Sequence, residues 1–489
     1  MKEKFQKIVE SRIGVKADKL CNSLWYPIAV GAVCIFCHSL NIPVIGALLL
    51  TVLLVPALLF CKNSYVLAPI MAMSGFVLSA ETKPNTGYFN SPLKIVGLCF
   101  ALAFILTALV FNIIYYGRWK AIFKRAYLTV SIAIVTGVLL ASGLGSPWMS
   151  WSGVGMSMAI AVAMFLPYVF LLNCGVYQGR KTVEYFAWTM ISAAVVIFAA
   201  VFKQYALNGF DMSDPKSFLQ FGYAISNSAA AIVLLAVPLT FYMIHVYDRG
   251  YLFFIALAVE LLTILFTFSR ASLVVAVPGT AIVSVAMCFK KKNGRLGYYI
   301  AFGVSCALAL ALMIVFREKI FGAIKSFFNG MGSGSGRIQL WKEGFEEWRS
   351  YPVFGVGIWY LPQVNIGHHY HSYHCTPITF LYCTGAVGLL GYLYHRYRTV
   401  RLVFGARLTT ERIFVALTVL ALICNSLLDI YMTEPLHLVY YSILLALAES
   451  DVRAVKAADK EKETAVAEEQ PSDVSDAPPL EIQQDRTVV

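Results

Sequence analysis

Residues 223–268 read YAISNSAAAIVLLAVPLTFYMIHVYDRGYLFFIALAVELLTILFTF. Two apolar runs, 223–247 and 251–268, are separated by one polar turn carrying Asp248 and Arg249. Each is close to the roughly 20 residues that an α-helix needs to cross a hydrocarbon core about 30 Å thick. Within that core every backbone N–H and C=O must be paired inside the protein, so the pattern predicts two antiparallel membrane helices. It recurs in both directions, near 24–40, 43–61, 64–81, 93–116, 127–144, 155–173 and 184–202, then near 271–289, 298–316, 376–396, 412–430 and 434–449. The expected fold is all-α, a polytopic membrane helical bundle of about 14 transmembrane helices.

Composition agrees, since 59% of the residues are hydrophobic and only 13% charged, which excludes an ordinary soluble enzyme. The formal net charge of +12 would suit a nucleic-acid partner in a soluble chain. In a polytopic one it reports topology, because cytoplasmic loops collect Lys and Arg, and no nucleic acid is expected. With the N-terminus inside, the internal connections hold Lys62, the Arg118–Arg125 cluster, Arg180 and Lys181, Arg249, Lys290–Lys292 with Arg295, and five arginines between Arg396 and Arg412. The outer connections hold only Lys83, Lys94, Lys203, Lys216 and Arg270 besides the long loop. Both termini are therefore expected in the cytoplasm. The eleven cysteines are scattered, mostly inside expected spans where the single CxxC spacing, Cys34 to Cys37, also falls, and read as small apolar residues, and the first twenty residues lack the apolar core of a cleaved signal.

The expected organisation is a cytoplasmic segment 1–23, a bundle 24–316, a long external loop 317–375, a second bundle 376–449, and a disordered cytoplasmic tail 450–489, polar and rich in Glu, Ser and Pro. The loop is the one long connection and so the expected seat of function. It contains the flexible GMGSGSGR at 330–337, whose arginine begins RIQLWKEGFEEWRSYP, where Ile338, Trp341, Phe345 and Trp348 recur at spacings of three and four. That predicts an amphipathic helix ending before Pro352, lying along the membrane surface. Next come YPVFGVGIWYLP and GHHYHSYHC, the latter with His368, His369, His371 and His374.

FTFSRAS at the outer end of a span, GSGRIQLW, FGVGIWYL, and His374 followed by Gly385-Ala386-Val387-Gly388 together resemble the O-antigen ligase and polymerase family of bacterial envelope enzymes. The resemblance is specific from about 265 to 391. It implies an undecaprenyl-diphosphate-linked glycan as donor, an acceptor hydroxyl on a glycan, lipid or protein, membrane lipid as a partner, no cofactor, and a site on the external side of the cytoplasmic membrane. The family signature sets a histidine, a polar residue, nine further residues, then Gly-x-x-Gly. His374 fits that register, with TPITFLYCT between Cys375 and Gly385, whereas His371 and His369 do not. Cys375 departs from the family's Asn, Ser or Gln.

Such a transfer needs a base for the acceptor hydroxyl and cations for a diphosphate leaving group. Histidine suits the first, and arginine, always charged and able to grip phosphate with two donors, suits the second. The expected site is His374 as catalytic base and Arg270 with Arg337 on the diphosphate, supported by Ser269, Trp341, Gly385 and Gly388, without metal. His368, His369 and His371 have no accompanying carboxylate and read as solvated spectators. Glu260, Asp429 and Glu434 are ionisable groups within or beside apolar spans, and Asp211 and Lys216 lie in an outer loop; none is selected. A transporter or flippase is the competing reading, because intramembrane charges also suit a translocation path. An envelope scaffold whose surface helix only binds partners is a third.

Overall fold

The structure of the protein is a computed structural model that describes residues 6–7, 9–78, 92–122, 124–147, 151–211, 215–221, 224–290, 294–315, 317–318, 337–358 and 374–469. Helices α1 (Arg12–Cys21), α2 (Trp25–Leu40), α3 (Pro43–Phe60) and α4 (Ala68–Leu78) precede α5 (Pro92–Tyr115), α6 (Thr129–Leu140), α7 (Trp151–Cys174) and α8 (Arg180–Leu207). A two-stranded antiparallel hairpin, β1 (Gln220–Phe221) and β2 (Ala224–Ile225), pairs Gln220 with Ile225 and leads into α9 (Ser226–Val246). Then follow α10 (Phe254–Phe266), α11 (Arg270–Lys290), α12 (Arg295–Val315), α13 (Arg337–Trp348), α14 (Thr376–Val403), α15 (Thr410–Ser426) and α16 (Pro435–Glu469). The chain is an all-α polytopic membrane protein.

Each apolar run expected from the sequence coincides with helix, but not every run is a full span. Among the described residues, 7 helices are long and apolar enough to cross a membrane, or up to 8 if α1 and α2, bent by 77° at their junction, count as one broken span. α6 has 12 residues and would cover about 18 Å, well short of a hydrocarbon core. An apolar run in sequence counts residues regardless of where the backbone bends, which is why about 14 spans were expected. The polar tail also differs, because α16 continues through Glu469. Its Ala-, Glu- and Lys-rich stretch has high helix propensity, and Arg453 Nη2 reaches Glu449 Oε1 at 2.7 Å one turn back. Residues 470–489 lie outside the described residues.

The bundle is built around α9, which packs on α8, α10, α11 and α15. In its apolar stretch 89% of residues are buried, against 11% for α5, so α9 is the axis and α5 a lipid-facing edge. Ala229, Ala230, Ala231 and Ala236, all buried, let its neighbours approach closely.

Two polar layers cap this core at opposite ends. At one end Arg118 is bound by Ser64 Oγ and the Lys62 carbonyl, Glu449 accepts from Tyr127 N at 2.9 Å, Asp451 accepts from Thr409 Oγ1 at 2.8 Å, and Tyr242 OH donates to Glu411 at 3.3 Å. At the other end, Asn227 and Ser228 at the start of α9 meet Asp429 and Glu434. Asn227 and Tyr242 lie about 22 Å apart along α9 by the helical rise. The basic connections at 62, 118–125, 180–181 and 407–412 therefore collect at the end opposite to Asp429.

Candidate active site

Helix α14 is broken at Gly385, whose φ of 68° and ψ of −169° are not helical. A break leaves backbone donors and acceptors without helical partners. Residues 352–358 are laid into the gap and supply them. Val356 N donates to Tyr382 O at 3.1 Å and Gly357 N to Cys383 O at 2.9 Å, while Ala386 N donates to Pro352 O at 2.8 Å and Val387 N to Val353 O at 3.3 Å. From the other side Gly143 N donates to Phe354 O at 3.0 Å, and Ile358 N to Ser142 Oγ at 3.3 Å. A Cβ at Gly385 would fall 2.1 Å from Val353 O, and one at Gly355, also at positive φ, 2.4 Å from Tyr382 O. These glycines are backbone junctions rather than contacts for a substrate. Gly388 is likewise packed, with the place of its missing Cβ taken by Thr384 Oγ1.

The junction sets where the loop leaves and re-enters. His374 re-enters at φ 45°, immediately ahead of α14. Its Nδ1 is 3.0 Å from Asp429 Oδ1. Asp429 is held in turn by Ile430 N on Oδ1 at 3.0 Å, and by Tyr431 OH at 3.2 Å and Asn227 Nδ2 at 3.4 Å on Oδ2. Thr376 Oγ1 donates to the Asp429 carbonyl at 3.0 Å, which ties the start of α14 to the turn after α15. The Asp429 side chain is 6% exposed and that of His374 33%. A carboxylate only accepts, so Nδ1 carries the hydrogen, and Nε2, which has no partner among the described residues, keeps its lone pair. Asp429 is the residue that sequence reasoning did not connect to His374. The available signal was a carboxylate beside an apolar span, where lack of a partner is costly.

Arg270 is the first residue of α11 and is exposed. The preceding turn is tight, with Phe268 at φ 52°. Ser269 is fully buried; its carbonyl accepts Leu273 N at 3.0 Å and its Oγ lies 3.2 Å from Ser272 Oγ. Asn425 Nδ2 donates to Ser272 Oγ at 3.2 Å, pinning the start of α11 to the end of α15, one turn before Asp429. Arg270 and His374 are thereby brought to the same end of the bundle, and Ser269 is a supporting residue of the turn. The helix start adds its own positive potential to the guanidinium, an arrangement that favours an anion.

Arg337 is the first residue of α13, which packs on α14; its side chain lies outside what the structure describes. Trp341 is half-buried on that helix, and Trp348 Nε1 donates to Pro352 O at 3.0 Å, tying the helix to the segment that fills the α14 break. His368, His369 and His371 lie outside the described residues. Glu260 is not part of the site: it accepts from Thr240 Oγ1 at 2.6 Å in the bundle interior, about 20 Å along α9 from Asn227. Cys375 caps α14 from a buried position, and burial pushes its thiol up.

The fold and the site define a polytopic all-α membrane protein with a carboxylate-oriented histidine and an exposed arginine at one end of its bundle. Residues 251–393, which hold Arg270, Arg337, His374 and the Gly385 break, match the family described as O-antigen ligase. Over this region, under a third of the chain, the protein is similar to the O-antigen ligase family, and the match supports a glycan-transferring membrane enzyme in general. No curated protein matches the sequence.

Proposed function

We propose that the protein transfers a glycan from an undecaprenyl-diphosphate donor to an acceptor hydroxyl at the external face of the bacterial cytoplasmic membrane, as a surface-polysaccharide polymerase or O-antigen ligase. The observation that carries this reading is the pairing of His374 Nδ1 with Asp429 Oδ1 at 3.0 Å, which leaves Nε2 as the basic nitrogen, without a partner among the described residues, at the end where Arg270 opens α11. His374 Nε2 takes the proton of the acceptor hydroxyl as that oxygen bonds to the anomeric carbon. The bond from this carbon to the diphosphate oxygen breaks, and undecaprenyl diphosphate departs with the electron pair. Asp429 stabilises the imidazolium as it forms, and Arg270 with Arg337 holds the growing charge of the leaving group. None of these steps calls on a metal. The end carrying the basic connections then faces the cytoplasm, in accord with the positive-inside rule, and both termini with it.

The test is His374→Ala in the full-length protein. Transfer from a lipid-diphosphate glycan is expected to be abolished while insertion into the membrane is unchanged, and a chelator is expected to leave the native enzyme's rate intact. Activity retained by the variant, or lost to the chelator, overturns the metal-independent base mechanism.

A further inference from the structure

The turn that holds Asp429 also holds a second carboxylate and histidine. After α15 the chain makes a short 3₁₀ turn over Tyr431–Thr433, and Glu434 follows it directly. Glu434 accepts from Ser228 Oγ, with its Oε2 at 3.0 Å and its Oε1 at 3.2 Å. Oε2 also lies 3.0 Å from His437 Nδ1, one helical turn further on, although the two are out of line for a hydrogen bond. His437 Nε2 is 3.1 Å from the Ser228 carbonyl, which can only accept, so that nitrogen carries the hydrogen. Tyr431 joins the two pairs: its OH donates to Asp429 Oδ2, and its ring packs on that of His437 with centroids 4.8 Å apart. Asn227 and Ser228, adjacent at the start of α9, bind Asp429 and Glu434 respectively.

The two pairs are inverted in exposure. At His374–Asp429 the histidine is 33% exposed and the acid 6%, whereas at His437–Glu434 the histidine is 1% exposed and the acid 23%. One pair presents a basic nitrogen, and the other presents carboxylate oxygens backed by a buried ring. Ser228 uses only part of the lone-pair capacity of those oxygens. A second anion beside the site repels a diphosphate, while neutral hydroxyl groups are natural donors to a carboxylate. We propose that Glu434 binds sugar hydroxyls, holding the glycan beside His374 while the diphosphate is drawn to Arg270. The inference rests on the glycosyl-transfer reading above and names Glu434 as a substrate-binding residue of that reaction.

The hydroxyls can belong to the donor glycan or to the acceptor, and kinetics separate the two. The probe is lipid-linked glycan isolated from cells whose only copy is the His374→Ala variant, with the membrane fraction of the same cells as acceptor, each titrated against full-length enzyme. Glu434→Gln removes the charge and keeps the shape. It is expected to raise the apparent KM for the substrate whose sugar it binds by about tenfold to a hundredfold, with kcat changed by less than about threefold. A rise confined to the donor titration assigns the donor glycan; one confined to the acceptor assigns the acceptor. Unchanged KM values for both, or a fall in kcat alone, overturn the proposal while the native enzyme's activity leaves the reaction itself standing. A native enzyme that moves no glycan overturns both. If Glu434→Gln does not accumulate, Glu434→Asp, which withdraws the charge by one methylene, is expected to raise the same KM, and an unchanged KM with this variant is equally decisive against it.

Discussion

Replacing Asp429 by asparagine probes the feature that distinguishes a base from an ordinary buried histidine. The carboxylate accepts from His374 Nδ1 and Ile430 N on one oxygen, and from Tyr431 OH and Asn227 Nδ2 on the other. A carboxamide has one accepting oxygen and two N–H donors, so it cannot satisfy both sides. With its oxygen toward His374, the tautomer is kept, but a charge-assisted bond worth about 1.5–3 kcal/mol is weakened and a donor faces Asn227. With its nitrogen toward His374, Nδ1 must become the acceptor, hydrogen moves to Nε2, and the base is lost, the situation that costs a serine protease about 10⁴ in kcat. The expected fall in kcat is therefore about 10² to 10⁴, with the donor KM changed by less than about threefold. The assay is steady-state transfer by purified full-length enzyme on a lipid-diphosphate glycan, with thermal unfolding in detergent as the check on folding. A variant that folds and keeps a kcat within about threefold of the native value refutes the orienting role of Asp429.

Three further outcomes are expected. Gly385→Ala places a Cβ 2.1 Å from Val353 O at a backbone φ of 68°, whereas a Cβ at Gly279 meets nothing within 4 Å. The first is expected to cost about 2–5 kcal/mol and the second to be neutral or stabilising, as read by thermal unfolding. Arg270→Lys keeps the charge but loses the two-pronged grip on phosphate, so the donor KM is expected to rise about tenfold, with a larger rise for Arg270→Ala. Cys375→Ser gives the N-cap of α14 a hydroxyl oxygen where no side-chain cap bond exists at present. It is expected to retain transfer activity and to add about 0.5–1 kcal/mol of stability in the same unfolding measurement.

His374 stands out from its neighbours without tertiary structure because it alone fits the register of the family signature, and its distance to Gly385 is a local property of the chain. The helical character of α13 was legible for the same reason, since Ile338, Trp341, Phe345 and Trp348 repeat with a helix's period. The length of each span was not, because residues such as Ser64–Leu67 and Gly250–Phe253 form 3₁₀ turns that shorten apolar runs reading as continuous. The helical continuation of α16 to Glu469 was missed because polarity was read as disorder, although Ala, Glu and Lys are strong helix formers.

By itself the sequence determined that the chain is an all-α membrane bundle, which end of each helix carries positive charge, and which histidine stands in register with the glycines. Hydrophobicity, charge and short spacings are properties of segments, and no packing is needed to read them. Only the tertiary structure decided that Asp429, 55 residues away, orients His374, and that Ser272 is tied to Asn425 across 153 residues. It also decided that the VFGVG stretch fills the gap at Gly385, and that Glu434 is shared by Ser228 and His437. Those partnerships depend on which helix ends meet when the apolar faces pack, and the chain's local pattern does not contain that information.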